Sequence, residues 1–125
     1  MTNVILFRFI YNSTSLVNDY LGIKTELIFS STIPIDHQLK SDEKVIAICK
    51  AQNANLYINP IGGVELYNKD NFKKEGLELL FHKANQFTYP QFKNDFIPWL
   101  SILDVLMFNN LEDIKNLINK EYSLL

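Results

Sequence analysis

The sequence is short of the residues that most often announce a chemistry. It has a single cysteine, Cys49, so no internal disulfide framework is open to it and a reducing, cytoplasmic setting is expected. It has two histidines, His37 and His82, and with Cys49 they show none of the close spacing of a zinc site, so no metal is expected. Of four glycines, two are adjacent at Gly62 and Gly63, yet neither a Gly-Lys-Ser/Thr phosphate loop nor a GxGxxG dinucleotide turn is present. A formal net charge of -2 gives no electrostatic reason to expect nucleic acid or an anionic membrane surface. No run approaches the roughly 20 apolar residues of a membrane span. The opening "MTNVILFRFIYNSTS" is interrupted by Arg8 and lacks a basic start, so a signal peptide is not expected.

What is present suits one folded domain over residues 1–125. Hydrophobic residues make up 47% and charged residues 21%, enough apolar side chains for a core in an α/β domain of this size. "TSLVNDYL" reads as a helix over 14–21 stopped by Gly22 in a left-handed conformation. "KTELIFSS" reads as a strand. "SDEKVIAICKAQNA" reads as a helix with Ser41 as N-cap and acids in its first turn. "NLYIN" is a second strand, "IGG" a turn, and "VELYNKDNFKKE" contains a short helix capped by Asn68 and closed by Gly76. "LELLFHK" is a third strand. The order is β-α-β-α-β, which predicts a small three-stranded parallel, Rossmann-like sheet with helix 42–53 crossing right-handedly between the first two strands. An aromatic, proline-bearing loop "ANQFTYPQFKNDFIPW" follows, then two closing helices over "LSILDVLMFN" and "LEDIKNLINKEYSLL".

In such sheets ligands sit at the carboxyl ends of the strands. Those ends are predicted at Ser30-Ser31, at Asn59 to Gly63 and at His82-Lys83. Gly62 and Gly63 would then offer backbone amides to a ligand oxygen, with at least one at positive φ. A plain turn also needs small and polar residues there. His82 is a candidate base, although a structural histidine is the commoner outcome at a strand end. His37 reads as solvated and Cys49 as an inert core thiol. Ser101 and Asp104 fit a helix cap as well as they fit a catalytic pair. Phe87, Tyr89, Phe92, Phe96 and Trp99 can stack on a sugar or base, or simply pin the loop.

Several separated segments resemble one family. "LGIKTELIFSS", "YINPIGGVELYNKDNF", "GLELLF", "YPQF" and "FIPWLSILDVLMFN" occur in order between Leu21 and Asn109, and together, over about Leu16 to Asn109, they resemble the carboxyl-terminal half of the WbqC-like protein family. The resemblance implies a role in bacterial surface-polysaccharide and O-antigen biosynthesis, as a transferase moving an acyl or aminoacyl group to an amino sugar. The family's amino-terminal His-Gln-Pro and Tyr-Leu-Pro-Trp motifs have no counterpart here, and "DHQLK" does not replace them. The chain is therefore expected to be incomplete, and inactive by itself. In the family-like unit Asn59, Gly62, Gly63 and Tyr67 go together, which favours a binding role for the glycine turn. The expected binding residues are Ser30, Ser31, Asn59, Gly62, Gly63, Tyr67, Tyr89 and Gln91, with His82 and Asp104 as catalytic candidates, for a small-molecule or sugar-nucleotide ligand; no cofactor is indicated. Two other readings stand beside this one: a non-catalytic binding or assembly module, and a nucleotide-binding α/β domain. The exposed apolar "VILFRFI" gives a reason to form a homodimer.

Overall fold

In the computed structural model, which describes residues 2–93 and 95–125, the chain begins with a long helix, α1, over Thr2–Leu21. Sequence reasoning places this helix over residues 14–21 only. Instead the hydroxyls of Ser13 and Thr14 donate to the carbonyls of Phe9 and Ile10, four residues back. That bond satisfies both side chains inside a helix and lets it run through the polar stretch. The helix ends as expected. Gly22 has φ 72°, and the Ile23 amide donates to the Asn18 carbonyl at 2.9 Å while the Gly22 amide donates to that of Asp19 at 3.1 Å, a Schellman closure.

Residues 23–29 do not form the expected first strand. They lie outside the sheet without regular structure and lead into a 3₁₀ turn over Ser30–Thr32. α2, Ser41–Ala51, therefore precedes the first strand and crosses between none. Its cap is Lys40, without a side-chain bond, and Ser41 sits at φ 47° as the first helical residue. β1, Leu56–Pro60, pairs in parallel with β2, Glu78–Ala84. α3, Lys69–Lys74, lies in the crossover between them; the Asn68 side chain caps it by accepting from the Asp70 amide, and Gly76 closes it at φ 75°.

The third strand comes from the far end of the chain. After α4, Ile102–Phe108, and α5, Leu111–Lys120, residues Tyr122–Leu124 form β3, antiparallel to β2. The Phe81 and Leu125 amides and carbonyls exchange hydrogen bonds at 2.9 and 3.0 Å. The protein is thus α/β with a small mixed sheet in the order β1-β2-β3, and the all-parallel expectation is corrected. Pro60, which has no N–H, sits on an edge strand, where it costs no ladder bond.

Two apolar clusters hold these elements. One face of β1 and β2 packs Leu77, Leu79 and Phe81 with Phe72 of α3 and Cys49 of α2, bordered by Val45, Ile46, Tyr57 and Tyr67. The other joins Leu21 at the end of α1 to Val105 of α4 and Ile114 of α5, bordered by Phe87 and Tyr89. The aromatic loop is therefore tied to the helical side of the molecule.

Candidate functional site: an aromatic cleft and a locked glycine turn

The glycine turn follows β1 directly. Ile61–Gly63 form a single 3₁₀ turn, and the glycines at positive φ are Gly22 and Gly76, not Gly62 or Gly63. The expected left-handed glycine is absent because a right-handed 3₁₀ turn, continued by Val64 at φ -55°, ψ -38°, already reverses the chain. What Gly63 supplies is room. A Cβ there would lie 1.7 Å from Asn59 Nδ2 and 3.4 Å from Tyr67 Cδ2, whereas a Cβ on Gly62 would meet nothing within 4 Å. Asn59 is itself held, its Oδ1 accepting from the Tyr57 hydroxyl at 2.9 Å. Tyr57 then stacks on Phe72, and Tyr67 meets both edge-on, with ring centroids 5.8 to 6.1 Å apart. Asn59 and Tyr67 close around Gly63, with Tyr67 against the core cluster, while Gly62 stands in open space. Ser30 and Ser31 are exposed and lie on no strand, so the sheet does not bring them to this turn.

A different set does converge. Tyr89 donates its hydroxyl to Asp104 Oδ2 at 2.5 Å, and Gln91 Nε2 donates to the same oxygen at 3.0 Å. Gln91, 9% exposed, also donates to the Ile97 carbonyl at 3.1 Å and accepts from its amide at 2.8 Å. One glutamine thus closes the 91–97 loop as a strand partner would. α4 delivers Asp104 through its Ser101 cap, whose Oγ accepts from the Leu103 amide. Burial pushes the Tyr89 phenol up, and the Asp104 hydrogen bond adds to the rise.

Above this network lies a cleft of about 230 Å³ lined by Asn85, Gln86, Phe87, Tyr89, Phe96 and Trp99, among others. Phe96 packs edge-on to Tyr89 at 5.1 Å. Trp99 is 68% exposed and has φ 62°. A bulky residue in that region is held there at a cost of about 1–3 kcal/mol. Among the lining residues Tyr89 is the one titratable group; Asp104 stands behind it.

His82 is not in this cleft. It stacks on Tyr122 with centroids 5.2 Å apart and lines a neighbouring cavity of about 200 Å³ with Glu121, Leu117 and Ile118. The two cavities share Ala84, Phe87, Ile102 and Val105. His82 is also the register partner of Pro60. Residue order already marks Trp99 as an aromatic that can stack, but its left-handed backbone and the lining positions of Asn85 and Gln86 leave no mark there.

Comparison with curated proteins and with solved structures finds no match. Comparison with protein families does find one, over residues 2–116. That match extends on both sides of the segments quoted above and takes in α1 through most of α5. The chain belongs to the WbqC-like protein family.

Proposed function

We propose that the chain binds an amino sugar, free or as a sugar nucleotide, in the cleft at Trp99, and serves acyl or aminoacyl transfer to it in bacterial surface-polysaccharide biosynthesis. The observation that carries this reading is Trp99. Its indole is open to solvent at the rim, its backbone is left-handed, and Phe96 and Tyr89 line the same cleft. Sugars present an apolar C–H face that stacks on such rings, and their hydroxyls seek amide partners such as Asn85 and Gln86. Asp104 and Gln91 act by holding Tyr89 and the loop. The role that the sequence resemblance implies concerns the same class of substrate.

A second reading, a binding module without turnover, is favoured by the lining itself. Tyr89 is a poor general base at neutral pH, with its phenol raised further, and His82 faces the adjoining cavity. The nucleotide-binding alternative rests on topology alone, and of the expected parallel sheet one β-α-β unit, β1-α3-β2, is present.

Trp99 is the chain's single tryptophan, so its fluorescence reports on the cleft directly. Titration with a uridine diphosphate N-acetyl amino sugar and with the free amino sugar is expected to change that emission saturably. Asn85→Ala is expected to weaken the response. Emission indifferent to both sugars would refute the reading. Transfer to a bound amino sugar by the purified chain would refute the binding-module alternative.

A further inference from the structure

Helix α1 has two apolar faces, and its own chain covers one of them in part, leaving Phe7 51% exposed. Phe7 and Tyr11 meet Phe29 edge-on at 5.2 and 5.0 Å, and Leu21 enters the helical core. At about 100° per residue, Ile5, Phe9, Leu16 and Tyr20 fall within a sector of roughly 60° on the side away from Phe7 and Tyr11. They are 71, 68, 70 and 57% exposed. With Leu6 and Ile10 beside them, they leave on the order of 800 Å² of mainly apolar surface bare. Monomers usually show a few hundred, and about 800 Å² is the share each partner gives up in a stable complex.

The stripe is also symmetric along its length. Ile5 and Tyr20, Phe9 and Leu16, and Asn12 and Ser13 are pairs equidistant from one midpoint. A two-fold contact requires a surface that matches itself when reversed. We propose that two copies of the chain pair through α1, antiparallel, with Ile5 against Tyr20 and Phe9 against Leu16 across the seam.

Charge selects the same arrangement. Arg8 and Asp19 are the two charged residues of the helix, and both lie on one flank of the stripe. Antiparallel pairing keeps this flank of both copies on one side of the seam and sets Arg8 of one copy beside Asp19 of the other, whereas parallel pairing would carry the two flanks to opposite sides and leave neither charge a partner across the seam. Asn12 and Ser13 fall at the centre, where a polar pair in an apolar seam fixes register.

Sedimentation of the full chain at micromolar concentration is expected to give a dimer. Leu16→Glu is expected to give a monomer with unchanged circular dichroism, since that side chain touches neither core. Arg8→Glu is expected to weaken the dimer roughly tenfold, and Arg8→Glu combined with Asp19→Lys to restore it. A monomeric wild-type chain, a dimer indifferent to Leu16→Glu, or a charge swap without rescue would each overturn the proposal. So would wild-type chain that stays monomeric and instead co-sediments with anionic phospholipid vesicles. The charge variants are on the surface, so they decide the matter even if Leu16→Glu fails to fold.

Discussion

The side-chain amide of Asn59 occupies the space that a Cβ on Gly63 would need, with Nδ2 1.7 Å from that position. Real atoms do not approach that closely, so Gly63→Ala must drive Asn59 from its place and break its bond to the Tyr57 hydroxyl. We expect that substitution to cost about 1–3 kcal/mol. Gly62→Ala, with open space and a right-handed backbone, should be neutral or stabilise by up to about 1 kcal/mol. In an Asn59→Ala background the cost of Gly63→Ala should largely vanish. Urea denaturation of the four variants measures the coupling, and equal costs at Gly62 and Gly63 would contradict the lock.

Gln91 makes three hydrogen bonds from a buried position, two to Ile97 and one to Asp104. Gln91→Ala strands their partners without replacing them. The expected loss is about 1–3 kcal/mol, accompanied by a shift of Trp99 emission as the loop carrying the cleft relaxes. A variant of wild-type stability with unaltered emission would show that the loop holds its shape without Gln91.

Cys49 is 6% exposed within the first cluster, and burial raises its thiol above the ordinary value, opposed by a smaller backbone hydrogen bond. Both effects of burial, poor access and little thiolate, slow attack. Thiol-disulfide reagent should therefore label the native protein slowly and label one thiol per chain at once in denaturant. Fast stoichiometric labelling of the native state would be incompatible with this placement.

Alkaline pH should unfold the protein earlier than model phenols predict. Burial raises the phenols of both Tyr57 and Tyr89, with the Tyr67 and Cys49 charges adding at Tyr57 and Asp104 adding at Tyr89. A folded-state pKa above the unfolded one favours the neutral form in the fold. That contribution is complete below the unfolded value of about 10 and is lost as pH rises through the raised folded values. Melting temperature should fall over that window, and less steeply in Tyr89→Phe. Equal slopes in both proteins would remove Tyr89 from the account.

Much of the site's scaffold was legible in residue order because it is local. Asn68 as a cap, Gly22 and Gly76 as left-handed closures, and Cys49 on an apolar helix face follow from spacing within a single turn or helix. The parallel pairing of "LYIN" with "ELLFHKA" followed from two short apolar runs and the crossover between them. Tyr89, Gln91 and Asp104 are each candidates by residue type, but their sharing of one carboxylate oxygen depends on where α4 lies against the loop.

The amino-acid sequence alone determined the helix stops at Gly22 and Gly76, the β1-β2 strand pair and the family, whereas the self-matching stripe on α1 appears only once the helix is seen to run from Thr2 to Leu21. Tertiary structure decided which segment became the third strand. "ELIFS" and "YSL" are both short and apolar enough to pair, and propensity does not separate them. β2 has one free edge once β1 is in place, and α5 delivers Tyr122–Leu124 to it, where the Phe81 and Leu125 backbones exchange two hydrogen bonds. Residues 23–29 are left to lie outside the sheet, with Phe29 against α1. Competition for one edge is settled by which segment the rest of the fold can reach, and that is a property of the whole chain.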